Sequence, residues 1–171
     1  MELKSALEKL KKSTEFLEWS KENTNNFFSY AFQIPEENKE DWQLGFYQKS
    51  TDKMTTFIVG ATLITIRKDE EIFKKPDMEL IPIDVKKVKV SFNKISKKAI
   101  NFQKENYPKE LISKTIAILQ NLKECGDHWN ITYITHSFNA LNIKVNAENG
   151  EVISHSLDNF MDFISSKNKK E

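Results

Sequence analysis

The sequence predicts an α+β protein, built as two repeated helix-plus-antiparallel-sheet units packed together. Three observations carry that prediction. Apolar residues recur at helical spacing near the N-terminus and again from Phe92. Around those stretches lie short runs rich in aromatic and β-branched residues, separated by polar turns. The pattern of the first half returns in the second at a constant offset of 87 positions.

Leu3, Leu7, Leu10, Thr14 and Leu17 recur at spacings of four, three, four and three, which predicts one amphipathic helix over about 3–19. The pattern loosens at Asn23–Asn26. Phe28–Ile34, Trp42–Gln48, Met54–Val59 and Thr62–Ile66 then read as strands, divided by turn-rich "PEENKED" and "KSTDK". Residues 68–84 are charged, hold Pro76 and Pro82 and lack periodicity, as a linker would. Val85, Val88 and Val90 read as a strand leading to Ser91. Phe92, Ile95, Ala99 and Phe102 keep helical spacing, with Ser91 as a candidate N-cap and Pro108 as the stop.

The next run, "LISKTIAILQNL", suits a helix or a buried strand on periodicity alone. The repeat decides between them. At the 87-residue offset Trp42 falls on Trp129, Gln33 on Gln120, Glu37 on Glu124 and Ser50 on Ser137. Leu44 meets Ile131, Phe46 meets Tyr133, Met54 meets Leu141 and Ile58 meets Val145. Because Phe28–Ile34 is poorly helical, its counterpart Thr115–Asn121 is expected as a strand. "KECGDH" becomes a hairpin turn with Gly126 at positive φ. "WNITYIT", "ALNIKVNA" and "EVISHS" complete a meander, and Ser156 is expected to cap a last short helix bearing Leu157, Phe160, Met161 and Ile164. The expected organisation is a first unit at 1–67, a linker at 68–84, a second unit at 85–155, and a C-terminal helix and tail at 156–171.

Composition narrows the class. A chain of 171 residues with 12 Phe, 4 Tyr and 3 Trp has core material enough to fold without staples. The single cysteine, Cys125, excludes an internal disulfide framework. Met1–Ser5 lacks the apolar core of a signal peptide and no apolar run approaches membrane-spanning length, so a cytoplasmic protein is expected. Net charge is +1, which gives no global field for nucleic acid or an anionic membrane. The basic excess is local: residues 84–114 hold 9 basic and 3 acidic side chains.

"VNAENGEVIS", residues 145–154, resembles the closing motif of the PepSY domain family, where "DAxTGEV" is typical. Asn146 stands where Asp is usual, and Ala147, Gly150, Glu151 and Val152 match in place. The helix "SFNKISKKAINF" is similar to a PepSY opening helix, with Ala99 as its small residue. The resemblance covers roughly 90–155 and, more loosely, 3–66, where the closing glycine motif is absent. It implies non-catalytic α+β modules of the kind found in propeptides of thermolysin-type proteases and in membrane or secreted proteins, where they inhibit or bind.

No reactive constellation emerges from spacing. Cys125-x-x-His128, with His136 and His155 elsewhere, falls short of the four converging soft or imidazole ligands of a closed zinc site. His136-Ser137 and His155-Ser156 are strand neighbours, whose side chains leave on opposite faces. The four glycines are too dispersed for a phosphate cradle. Asp69-Glu70-Glu71 and the pair Asp158 and Asp162 read as solvated carboxylates. Trp42 and Trp129 read as matched core anchors, with a ligand platform as the competing reading. On the second helix the basic side chains of Lys94, Lys97 and Lys98 lie largely opposite the apolar stripe and form a candidate partner-facing patch.

The functional expectation is therefore a non-catalytic binding or regulatory, inhibitor-like module that recognises a peptide or protein partner, acidic where it meets the lysines. No cofactor, nucleic acid or membrane is expected. The alternatives are a small-ligand carrier, or an enzyme with a site between the two halves.

Overall fold

The helical pattern at the N-terminus is cut in two by its own capping residue. In the computed structural model, which describes residues 1–37, 41–71 and 79–159, α1 spans Leu3–Lys11 and α2 spans Thr14–Glu22. Ser13 caps α2 by accepting the Phe16 N–H on its hydroxyl at 3.2 Å. The restart changes the phase. Leu17, expected in the apolar stripe, is 50% exposed, while Phe16 and Trp19 turn inward onto Phe46 and Phe57 with ring centroids 5.1–5.8 Å apart. A single helix over 3–19 would have pointed those rings elsewhere.

Four strands follow: β1 (Asn26–Gln33), β2 (Trp42–Gln48), β3 (Lys53–Val59) and β4 (Ile64–Glu70). After a crossover come α3 (Phe92–Asn106) and β5 (Ile112–Leu122), β6 (Gly126–Thr135), β7 (Asn139–Asn146) and β8 (Val152–Asn159). The fold is α+β: the described residues form three helices and one eight-stranded antiparallel sheet in the order β4-β3-β2-β1-β5-β6-β7-β8. The sheet is continuous through the β1–β5 pair, where Tyr30 faces Gln120 and Gln33 faces Ala117. Two separately closed units would leave that seam open.

Two further expected elements differ. Val85–Val90 is irregular, because this stretch is tied down point by point instead of by a ladder. Ile83 and Val88 are buried, and the Lys89 and Val90 amides both donate to the Ala147 carbonyl. The helix expected from Ser156 is strand β8 as far as Asn159, where Ser156 and Leu157 pair with Asn142 and Leu141. Phe160, Met161, Asp162 and Ile164 lie outside the described residues.

Alternation gives the sheet two different faces. Leu44, Phe57, Leu119, Ile131, Leu141 and Ile143 point to the face that α1, α2 and α3 cover, and all are buried. Trp42 and Trp129, 1% and 0% exposed, meet there at 5.9 Å with Phe92 of α3 against both. The turn in "VNAENGEVIS" closes as its residues suggest. The Asn146 Oδ1 accepts the amides of Glu148 and Asn149, and Gly150 takes φ +76°. Gly126 turns the β5–β6 hairpin at φ +64°.

Candidate functional site

The sheet face that no helix among the described residues covers holds the candidate site. Registered across β4, β3, β2, β1, β5, β6 and β7 stand Arg67, Thr56, Gly45, Tyr30, Gln120, His128 and Asn146. Gly45 explains how the row can dip. Its missing side chain lets the Tyr30 ring lie on the β2 backbone, so close that a Cβ there would sit 2.0 Å from Tyr30 Cε1. Beside the ring opens a cleft of about 470 Å³, lined by Tyr30, Phe32, Gln43, Met54, Ile118, Gln120 and Leu122, with Glu70, Glu71, Leu80 and Ile81 among its other walls.

One hydrogen-bond chain fixes the polar side of this cleft. Thr56 Oγ1 donates to Glu70 Oε2 at 2.5 Å, so its oxygen is left to accept from the Tyr30 hydroxyl at 2.8 Å. Burial pushes the Tyr30 pKa up, and the Glu70 charge pushes it the same way, against the Thr56 bond and Arg67. The phenol therefore stays protonated and acts as a donor. Glu71 on the rim meets Lys53 at 3.4 Å. The walls are otherwise mainly apolar. An arrangement of this kind can hold an apolar group and orient a donor or cation beside it.

Of the described candidate residues singled out in the sequence, Glu70 and Glu71 alone line the cleft. His128 is fully buried, and its Nδ1–H donates to the Gly126 carbonyl at 2.9 Å. That leaves Nε2 to accept from Gln120 Nε2 at 3.3 Å, so both ring nitrogens are engaged by the protein. Desolvation holds its pKa below the ordinary histidine value, in keeping with a neutral ring. His155 lies on the opposite face, against Phe102 of α3 and hydrogen-bonded through Nδ1 to the Tyr107 hydroxyl. His136 is exposed in the β6–β7 hairpin. Among the described residues no three His, Cys, Asp or Glu side chains could together hold a metal ion, and no helix is long and apolar enough to cross a membrane. Glu70 and Glu71 do reach the cleft, whereas Asp158 is bonded by Ser156 on the edge strand β8. Lys94, Lys97 and Lys98 are exposed on α3, on the other side of the sheet from the cleft.

Tyr30, Thr56, Gln43 and Gln120 escape a motif search because they come from four strands. The available signal was Gly45, a glycine inside a strand whose other residues are aromatic, Leu44 and two glutamines.

No family model and no curated protein matches the sequence. Among solved structures, the fold is similar to that of a "putative lipoprotein" of Clostridium difficile 630. The likeness covers 84% of this chain and 90% of that one, at 9% identity and a TM-score of 0.51, and what it shows is a shared fold.

Proposed function

We propose that this chain is a non-catalytic binding protein. It takes an extended polypeptide segment on the helix-free sheet face, with one large apolar side chain in the cleft and a basic group beside Glu70 and Glu71. The observation that carries the reading is the 470 Å³ amphipathic cleft on a face that no helix among the described residues covers. Lys94, Lys97 and Lys98 form a separate exposed face in this proposal, suited to speeding the approach of an acidic partner. A peptide array probed with purified protein should retain sequences that join a large apolar residue to Lys or Arg. Changing Glu70 and Glu71 together to Gln should weaken retention about tenfold. Retention that ignores those substitutions, or turnover of a substrate by the purified protein, overturns the reading.

A cleft of this volume also suits a small amphipathic cation, since such sites span roughly 300–1,000 Å³. Native mass spectrometry of protein taken directly from cells separates the two, because a carrier retains a bound small molecule.

The proposal includes descent from a duplicated PepSY-like unit. Each half is helix first, then four antiparallel strands in sequence order. Shifting Phe27–Tyr47 and Phe28–Phe46 by 87 gives Lys114–Ile134 and Thr115–Tyr133, both of them register pairs. Ile58–Thr65 likewise becomes Val145–Val152. An intracellular setting is retained from the lone Cys125, while the lipoprotein description of the structural neighbour points to a membrane-anchored alternative.

A further inference from the structure

The sheet has two edges, and they are built differently. β4 carries Arg67, Lys68 and Glu70, the kind of charge that discourages a further strand from adding to an edge. β8 carries one carboxylate, Asp158, with no lysine, arginine or proline. Every residue from Ile153 to Asn159 is exposed, and among the described residues no strand pairs with the outer side of β8. Ile153 and Leu157, 39% and 38% exposed, stand on the side of β8 that faces the helix layer.

This open edge is held in place from behind. Seven registered pairs join it to β7. The Tyr107 hydroxyl is hydrogen-bonded to His155 Nδ1 at 2.6 Å, and the Phe102 ring centroid lies 4.9 Å from that of the imidazole. The C-terminal half of α3 thus pins the middle of β8, whose outward N–H and C=O groups are left as a template for another strand.

The sequence of β8 says which strand fits. Laid antiparallel on a second copy about a two-fold axis at His155, Ile153 meets Leu157 of the second copy, and Ser154 meets its Ser156. Each contact then occurs twice, as two-fold symmetry requires. Charge agrees with this arrangement. The two Asp158 residues fall roughly 20 Å apart along the paired strands, whereas a parallel pairing in register would set one directly beside the other. We propose that β8 is a dimerisation edge, occupied by β8 of a second copy of this chain paired antiparallel about His155. Directly opposed residues share a face, so the helices of both copies lie on one side of the joined sheet. The cleft, walled by strands β1 to β5, lies outside the contact, and the proposal does not depend on the reading given above. The edges left outside are the two charged β4 strands, so association stops at two.

The test is sedimentation velocity of the full chain from about one micromolar to about one millimolar, where a monomer–dimer equilibrium with nothing larger is expected. Ile153→Lys and Leu157→Glu each place two charges in the pairing, on side chains already exposed, and each should weaken the dimer about tenfold or more. The combined variant sets each new ammonium opposite a new carboxylate across the axis. It should recover most of the affinity, which a folding defect would not allow. Thr65→Lys on β4 should leave the equilibrium unchanged. A chain that stays monomeric throughout, assemblies that grow beyond two, a dimer indifferent to Ile153→Lys or weakened equally by Thr65→Lys, or a combined variant as weak as the single ones overturns the proposal.

Discussion

Gly45→Ala tests the geometry of the cleft through a single methyl group. The new Cβ would stand 2.0, 2.4 and 2.6 Å from three atoms of the Tyr30 ring, so the ring has to leave. Two opposed effects set the sign. Removing a glycine from a strand gains roughly 0.5–1 kcal/mol through the unfolded chain. Overpacking loses about 1–3 kcal/mol, and breaking the Tyr30–Thr56 bond loses about 0.5–1.5 kcal/mol more. The clash wins, for a net loss of about 0.5–4 kcal/mol in urea melts at unchanged m-value. Tyr30→Phe, which removes only the hydroxyl, should lose about 1 kcal/mol. Combining Gly45→Ala with Tyr30→Ala removes the ring that the methyl strikes. The pair should then lose at least about 1 kcal/mol less than the sum of the two single changes. If Gly45→Ala melts within about 0.5 kcal/mol of the parent, or the cycle is additive, the ring does not rest on Gly45 and the cleft has another shape.

Trp42→Ala and Trp129→Ala should each cost about 3–5 kcal/mol in the same assay, since both rings are fully buried, and losses below about 1 kcal/mol would return them to the surface. His128 is held neutral by burial, with its folded pKa below the unfolded value near 6.5. Its share of stability is complete above about pH 6.5 and is lost as pH falls toward the folded pKa, so parent melts at pH 7.5 and 5.5 should differ by more than those of His128→Gln. Phe138 has φ +58° at a hairpin and is 71% exposed, so Phe138→Gly should raise stability by about 0.5–1 kcal/mol, and a loss would mean the ring makes contacts that matter.

Strand positions were legible wherever alternation met a turn signal. Trp42–Gln48 is legible with both its ends, and the strand expected at Thr115–Asn121 lies within β5. Ser13 falls inside the helix that the apolar spacing predicts over 3–19, because that spacing runs straight through it. A cap can restart a helix without breaking the count of leucines. Ser156 failed in the opposite sense: a serine before apolar residues looks like a cap, but pairing with β7 outweighs that local preference. The cleft was illegible for a third reason. Tyr30, Thr56 and Gln120 become neighbours only through strand register, and register between strands so distant in sequence follows from tertiary packing.

The seam between β1 and β5 decides whether this is one folding unit or two. Its ladder has four registered pairs, beside ten in β5–β6, which taken alone suggests a weak joint. What surrounds it points the other way. Beyond one end, Thr115 N–H donates to Glu36 Oε2 at 3.1 Å, and Lys114 meets Glu37 at 2.5 Å. Beyond the other, the Ile83 amide donates to the Phe28 carbonyl at 3.0 Å and Asn121 Nδ2 to the Pro82 carbonyl at 3.1 Å. On the helix face the contact of Trp42 with Phe92 and Trp129 carries the core across the seam. Separating the halves would bare Ala31, Ala117 and Leu119, all fully buried, along two open strand edges. The halves should therefore unfold together. Native-state hydrogen exchange reads this directly: the amides of Phe57 in β3 and Ile143 in β7 should exchange with the same global free energy. A difference above about 2 kcal/mol between them would mean that each half opens alone, and the chain would then be two units after all.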